Sequence, residues 1–260
     1  MTIEKFRSLF TYDQSKVGYV GVERECFTCD RTGKIVPLAH KVLASVKKGT
    51  EFGYELSASQ VETRVGPCLL EKLHNHLGER DMQLNTAFAD NNLFALHAEV
   101  APEDMPLDVY QDPTGRYQEI TKNMPREILS AACRVAATHI HVGMRDHNMA
   151  LRVYNDVIRH CDELCEMGDG SHGERLSIYK QMAPDYEPKP YASWGEYHQV
   201  ALAKGFAEDP RKCWTLIRIS VHGTIEFRMF GATGSIDCIA KWAGRCHSLC
   251  IEAMETVETM

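Results

Sequence analysis

The sequence predicts an α+β fold, an open and mainly antiparallel β-sheet with helices packed on one face. Four strand-like stretches place charged or polar residues two apart, so each has one apolar and one polar face. Helical and extended stretches follow one another without the strict alternation that a parallel sheet requires. The 260 residues, 44% hydrophobic and 25% charged, suffice for one sizeable core, and no shift in composition marks a boundary, so one domain over residues 1–260 is expected.

An amphipathic helix opens the chain near Ile3–Phe10, and a strand follows over Val17–Cys29. Pro37–Lys48 has proline in its first turn and Gly49 past its end, the punctuation of a helix. Phe52–Val65 reads as extended, Leu69–Phe88 as helix and Leu93–Val100 as strand. Pro102, Pro106 and Pro113 among acids make Ala101–Gly115 a loop. Tyr117–Val135 is helical but bent or broken near Pro125. Ala136–Met144 is a strand, after which Asp146 caps a helix running to about Met167. Gly168–Gly173 is a flexible turn and Pro184–Tyr191 a second loop. Ser193 and Glu196 fit a capping box for a helix to about Lys204. Trp214–Ser220 and Thr224–Phe230 form a strand pair around Val221–Gly223. The last helix carries an apolar stripe through Ile236, Ile239, Ala243, Cys246, Cys250 and Val257.

A net charge of −7 argues against broad binding to a nucleic-acid backbone. The longest apolar runs fall short of a membrane span, and Met1-Thr2-Ile3-Glu4-Lys5 lacks the start of a secretory signal, so a cytoplasmic location is expected. The ten cysteines are then reduced core thiols. Cys26 and Cys29 point to opposite faces of a strand, while Cys161/Cys165 and Cys246/Cys250 can share helix faces. A structural zinc is the alternative reading of the cysteines.

The polar faces carry the chemistry. They hold Glu23 and Glu25; Gln60, Glu62 and Arg64; His139 and His141; and Thr224, Glu226 and Arg228. A solvated antiparallel sheet also alternates, but its wet face is usually Thr, Ser and Lys. Carboxylates crowded together repel or take up protons unless divalent cations lie among them. Glu with His suits Mg²⁺ or Mn²⁺, and Arg228 on the same face offers a fork to an anionic group.

Gly21-Val22-Glu23-Arg24-Glu25 resembles the opening GVExE strand of the type 2 glutamate–cysteine ligases and the amidoligases. Ser59–Pro67 resembles the Gln-x-Glu strand of glutamine synthetase, with Ser59 and Val61 at its glycine and aromatic positions. Thr138–Gly143 is similar to the HxHVG strand of this superfamily, and Arg218-Ile219-Ser220 to its phosphate-site strand. Thr224–Arg228, with Thr233, Ile239 and Trp242, is similar to the amidoligase signature. The resemblance implies a glutamine-synthetase-like catalytic domain that uses ATP and Mg²⁺ or Mn²⁺ and forms an acyl phosphate. It implies Glu23, Glu25, Glu62, His139 and Glu226 as metal ligands, with Glu55 a further candidate. His141 and Arg228 would face substrate, and Arg218 and Arg175 the phosphates. The chain is shorter than the bacterial glutamate–cysteine ligases, which shifts the resemblance toward the compact amidoligases. Arg24 departs from the pattern.

The function expected is an ATP-dependent carboxylate–amine ligase acting on small-molecule or peptide carboxylates and amines. A metal-dependent amide hydrolase, a small-molecule kinase and a silent nucleotide-binding module are the competing readings. Ala101–Gly115 and Pro184–Tyr191 are candidate lids that would keep water from an acyl phosphate.

Overall fold

The computed structural model describes residues 1–46, 49 and 51–255. Lys48, the expected end of the second helix, and Val257, the last member of the apolar stripe, lie outside the described residues. After a short helix α1 (Ile3–Arg7), the chain enters β1 (Val20–Cys29), the spine of the sheet. Val20, Val22, Arg24 and Cys26 are buried on one side of β1, while Gly21, Glu23 and Glu25 are half-buried on the other. The period of two thus separates core from chemistry within one strand.

Helix α2 (Ala39–Ser45), strands β2 (Phe52–Tyr54) and β3 (Gln60–Cys68), helix α3 (Leu70–Asp90) and the short β4 (Phe94–Leu96) follow. Next come α4 (Arg116–Thr121), α5 (Arg126–Arg134), β5 (Ala137–Gly143), α6 (His147–Val157), α7 (Cys161–Gly168), α8 (Glu174–Met182) and α9 (Trp194–Lys204). The chain closes with β6 (Ile217–Ile219), β7 (Thr224–Gly231) and α10 (Ile236–Glu255). The seven strands form one sheet in the order β2-β3-β1-β5-β7-β6, with β4 paired to the far end of β1. Every strand pair is antiparallel. The β6–β7 turn needs Gly223, at φ +68°, where an added Cβ would meet the Thr11 carbonyl oxygen at 2.3 Å.

The main core lies behind the sheet. Val22, Ile140, Ile225 and Phe227 pack there with Leu73 and Leu77 of α3, Val153 of α6 and Ile239 and Ala243 of α10. Each such side chain, fully buried, contributes about 1.5–3 kcal/mol. Trp242 stacks on Phe230 with ring centroids 5.1 Å apart, fixing α10 to β7. The helices α4, α5 and α8 instead contribute walls on the polar side. Cys26 belongs to one apolar cluster and Cys29 to another, and all ten cysteines are free thiols. Among the described residues, no helix is long and apolar enough to cross a membrane.

Several expected elements come out divided. Phe52–Val65 turns between Tyr54 and Gln60, so it supplies two neighbouring strands instead of one. The helix expected over Tyr117–Val135 breaks into α4 and α5, with Pro125 as the cap of the second. Asp146 does cap α6, accepting the Met149 N–H at 2.9 Å, but a tighter turn at Ile158–His160 separates α6 from α7. Ser193 accepts the Glu196 N–H at 3.2 Å, while the Glu196 carboxylate reaches back to the Ala192 N–H, one residue before the usual capping-box partner. Helix α8 was not foreseen: it starts from Gly173 at φ +86° with no side-chain cap to announce it.

Candidate active site

The register of the sheet lays the chemistry out in rows. Glu25 of β1 lies opposite Glu62 of β3, which lies opposite Gly53 of β2. Glu23 lies between Arg64 of β3 and His139 of β5. His141 lies between Gly21 of β1 and Glu226 of β7, and Glu226 faces Arg218 of β6. Side chains directly opposite in such a ladder have Cβ atoms about 4.5–5.5 Å apart, close enough to share one ion. Gly53 leaves room for the Arg64 guanidinium: an added Cβ would lie 2.6 Å from Arg64 Nη2 and displace the end of that side chain.

Two groups of three emerge, each with one ligating atom per residue and all three within 4.8 Å of one another. One is Glu25, Glu55 and Glu62; the other is Glu23, His141 and Glu226. Glu55 joins the first because the chain turns directly after β2. His139 belongs to neither; its Nδ1 lies 3.4 Å from Glu23 Oε2. Its partner in β7 is a β-bulge, not an acid. Ile140 faces Phe227 and Thr138 faces Phe230, so Arg228 and Met229 together oppose His139. Glu226 lies on the regular side of the bulge, directly opposite His141.

The acid triad is electrostatically expensive. Burial, and then the Glu62 charge, push Glu25 up to about 7. Burial and Glu25 push Glu55 up to about 7, and burial and Glu55 raise Glu62 well above the ordinary range. Arg64, 2.5 Å from Glu62, offsets part of this. Glu23 behaves oppositely: against the upward push of burial, His139 and His141 hold it well below its ordinary value. Burial also pushes Glu226 up, but Arg218 and Arg228 more than reverse it. Burial, then Arg228, brings His139 down to about 4. His141 is raised: burial lowers it, and Glu226 and Glu23 outweigh that.

The arginines form a compact cluster around Glu226, which is 1% exposed. Arg218 forks onto it, Nε at 2.8 Å and Nη2 at 2.9 Å, and Arg228 Nη1 donates to the same carboxylate. The Arg228 guanidinium lies over the Trp214 ring, 5.6 Å from its centroid, and its Nε is buried without a hydrogen-bond partner. Arg175 is placed differently. It is buried, and it donates to the carbonyls of Ala136, Arg228 and Met229 at 3.2, 2.9 and 2.9 Å. Two of those carbonyls belong to the bulge, so Arg175 staples α8 across the irregularity in β7.

Arg24 now has an account. It points away from this face, pairs with Asp81 of α3, and donates through Nη2 to the Thr233 carbonyl at 3.0 Å. The strand bearing Glu23 and Glu25 is thereby tied to the helix beneath it.

All the site residues line one cavity of about 1080 Å³ over the sheet. Its other walls include Tyr54, Tyr110, Tyr117, Arg211, Trp214 and His222, none of which the sequence had marked as site residues. The expected lids divide. The Ala101–Gly115 segment supplies Tyr110 to the wall, yet it is pinned: Asp108 O accepts from Ala58 N at 2.7 Å, and Tyr110 N donates to Leu56 O at 2.9 Å. Pro184–Tyr191 supplies none of the lining residues; Tyr191 is buried against Tyr154.

The donor chemistry fits divalent cations. Three carboxylates within 4.8 Å are a hard-oxygen set of the kind Mg²⁺ and Mn²⁺ take. In the second group, His141 Nδ1 meets Thr224 Oγ1 at 2.8 Å, while its Nε2 is buried, 3.6 Å from Glu23, without a hydrogen-bond partner. A cation would satisfy that nitrogen. No cysteine enters either group.

No family model matches the chain. The chain is 27% identical over 269 residues to a protein of Rhodopirellula baltica named "Putative glutamate--cysteine ligase 2", covering 94% of this chain and 71% of that one. A crystal structure of a bifunctional glutathione synthetase from Pasteurella multocida superposes with a TM-score of 0.63 at 14% identity, over 97% of this chain and 39% of that one. Plasmodium falciparum glutamine synthetase superposes with a TM-score of 0.50 at 11% identity, over 98% of this chain and 55% of that one. The chain thus spans less than two thirds of either solved chain. Its sheet and helices have the fold of these enzymes. The resemblance to the glutamine synthetase and glutamate–cysteine ligase superfamily extends from the strand motifs to nearly the whole chain.

Proposed function

We propose that the protein is an ATP-dependent carboxylate–amine ligase of the amidoligase or γ-glutamyl ligase type, with residues 1–260 acting as one catalytic domain. One observation carries this reading: two cation-spaced groups and an arginine pair share a single cavity. Two-cation sites serve hydrolases as well as phosphoryl transfer; the arginine pair beside them is what suits a polyphosphate.

In this reading Glu25, Glu55 and Glu62 hold one Mg²⁺ or Mn²⁺, and Glu23, His141 and Glu226 hold a second. Bound cations would neutralise phosphate charge and polarise the transferring phosphoryl group. His139 orients Glu23 by its ring nitrogen. Arg218 and Arg228 offset charge on the equatorial oxygens while the γ-phosphoryl passes from ATP to a substrate carboxylate oxygen, releasing ADP. The nitrogen of an amine then attacks the acyl carbon, the C–O bond to phosphate breaks, and an amide, phosphate and a proton leave. The cavity walls restrict water, which would otherwise hydrolyse the acyl phosphate.

The test is ADP formation from Mg·ATP with pooled carboxylates and amines, beside Glu226→Gln. ADP that requires both an acid and an amine is the expected result. Amide hydrolysis without nucleotide, or a phosphorylated amine formed without any acid, would replace the ligase by a hydrolase or a kinase.

A further inference from the structure

The cavity has a wall that ligase chemistry leaves idle. Tyr54 and Tyr110 stack with centroids 4.7 Å apart and planes 8° off parallel, and Tyr117 stands edge-on to Tyr54 at 5.9 Å. Leu43, Ile120 and Met124 continue the surface, and Ile120 is 40% exposed. This wall adjoins the acid triad: Tyr54 precedes Glu55 in the chain, and the Tyr117 phenol is raised by burial and by Glu55, Glu62 and Glu25. The basic groups Arg218, Arg228 and His222 surround the other triad.

The wall is also held in place. Tyr110 is fixed by its N–H on Leu56 O, Gln118 Nε2 donates to Tyr110 O at 2.7 Å, and Asp112 accepts the Tyr117 N–H at 2.8 Å. A fixed, concave, apolar surface favours ligands that cover it. Ammonia or a small amino acid would leave it in water.

We infer that one of the two organic substrates carries an aromatic or branched aliphatic group next to its reacting carboxyl or amino group, and that Tyr54, Tyr110, Tyr117, Leu43, Ile120 and Met124 receive that group. This rests on the ligase reading and narrows it to a substrate class. The inference is continuous with the proposed site, since one cavity holds both. Arg218 and Arg228 would take the triphosphate, and the wall, where Arg116 lies over the Tyr117 ring at 5.8 Å, is left to the organic substrate.

Two panels test it on the wild-type protein with Mg·ATP. One varies the amine from ammonia through isoamylamine to phenethylamine against pooled acids. The other varies the acid from acetate through isovalerate to 3-phenylpropionate against pooled amines. In one panel kcat/KM should rise at least about tenfold from the smallest to the bulkiest member. The panel that responds identifies acid or amine as the source. Ile120→Asp and Tyr117→Ala should remove that preference and leave KM for ATP unchanged. ADP formation with both panels flat overturns the inference while sparing the ligase reading. A rise in KM for ATP alone also overturns it, assigning the wall to the nucleobase. Calorimetric titration of phenethylamine and 3-phenylpropionate decides the wall without turnover. Binding weakened by Ile120→Asp supports the inference even if no ADP forms, and no binding of either compound overturns it.

Discussion

Glu25, Glu55 and Glu62 face one another as three carboxylates, whereas Glu226 sits between two arginines and Glu23 between two histidines. The two groups stand on neighbouring rows of one sheet and are buried to similar degrees. Burial raises every carboxyl in both; what differs is the company. The acid triad is left partly protonated near neutral pH, so it depends on an outside cation to be charged. The mixed group stays ionised with the protein's own cations. On the proposed reading the first group would need an ion to be charged, whereas the second is already balanced, and a cation and a phosphate would take over partners that exist.

Activity offers the largest effect. Glu62→Gln and Glu226→Gln should each lower ADP formation by at least about 100-fold, so turnover alone does not separate the groups. Near-normal turnover in either variant would break the cation assignment. Stability separates them. Glu226→Gln leaves Arg218 and Arg228 buried without their carboxylate and should lower stability by roughly 3–5 kcal/mol. Glu62→Gln, measured without divalent cations, should leave stability unchanged or raise it, because it removes repulsion. Denaturant melts of the two variants check this, and equal losses would dissolve the contrast.

Acidity sharpens it further. Glu25 and Glu55 titrate near 7 in the folded chain and near 4.5 when unfolded. Between those values the native state binds more protons, so the contribution of these two groups to cation-free stability is full below about pH 4.5 and is lost as pH rises through about 7. Glu226 and Glu23 contribute with the opposite sign: their stability is present above their ordinary value and is lost as pH falls beneath it. Melting the cation-free protein from pH 5 to 8 should show a decline that Mg²⁺ abolishes. Mg²⁺ binding at pH 7 should release protons, read as a dependence of calorimetric heat on buffer ionisation. The smallest effect belongs to Gly53→Ala, which displaces the end of Arg64 and should change Mg²⁺ affinity by less than about tenfold.

The sheet face was legible because period-two alternation is local: Glu23 and Glu25, or His139 and His141, need no partner to declare a shared side. Which histidine lies within reach of Glu226 was not. The motif resemblance gave His139 the ligand role, whereas the structure puts His141 within ligand spacing of Glu23 and Glu226. What separates the two is the pairing partner in another strand, Glu226 opposite His141, which no spacing within β5 encodes. Arg24 was opaque for a similar reason: its partners, Asp81 and Thr233, are 57 and 209 positions away. Arg175 read as a loose phosphate match because its partners are carbonyls, which leave no side-chain signature. The tyrosine wall went unmarked because Tyr54, Tyr110 and Tyr117 reach it from three separate segments.

The bulge at Arg228 and Met229 also limits how this sheet can be rebuilt. It shifts the phase of β7, so that Phe227 and Phe230, three apart, both pack behind the sheet. A designer who straightened the strand by deleting Met229 would leave Arg228 opposite His139 and Phe230 opposite Thr138, so the two faces would keep their phase. What would go is the buried Met229 side chain and its carbonyl, one of the three acceptors that hold Arg175. A graft that keeps Arg175 therefore has to carry the irregularity too, because the bulge carbonyls are what that arginine satisfies.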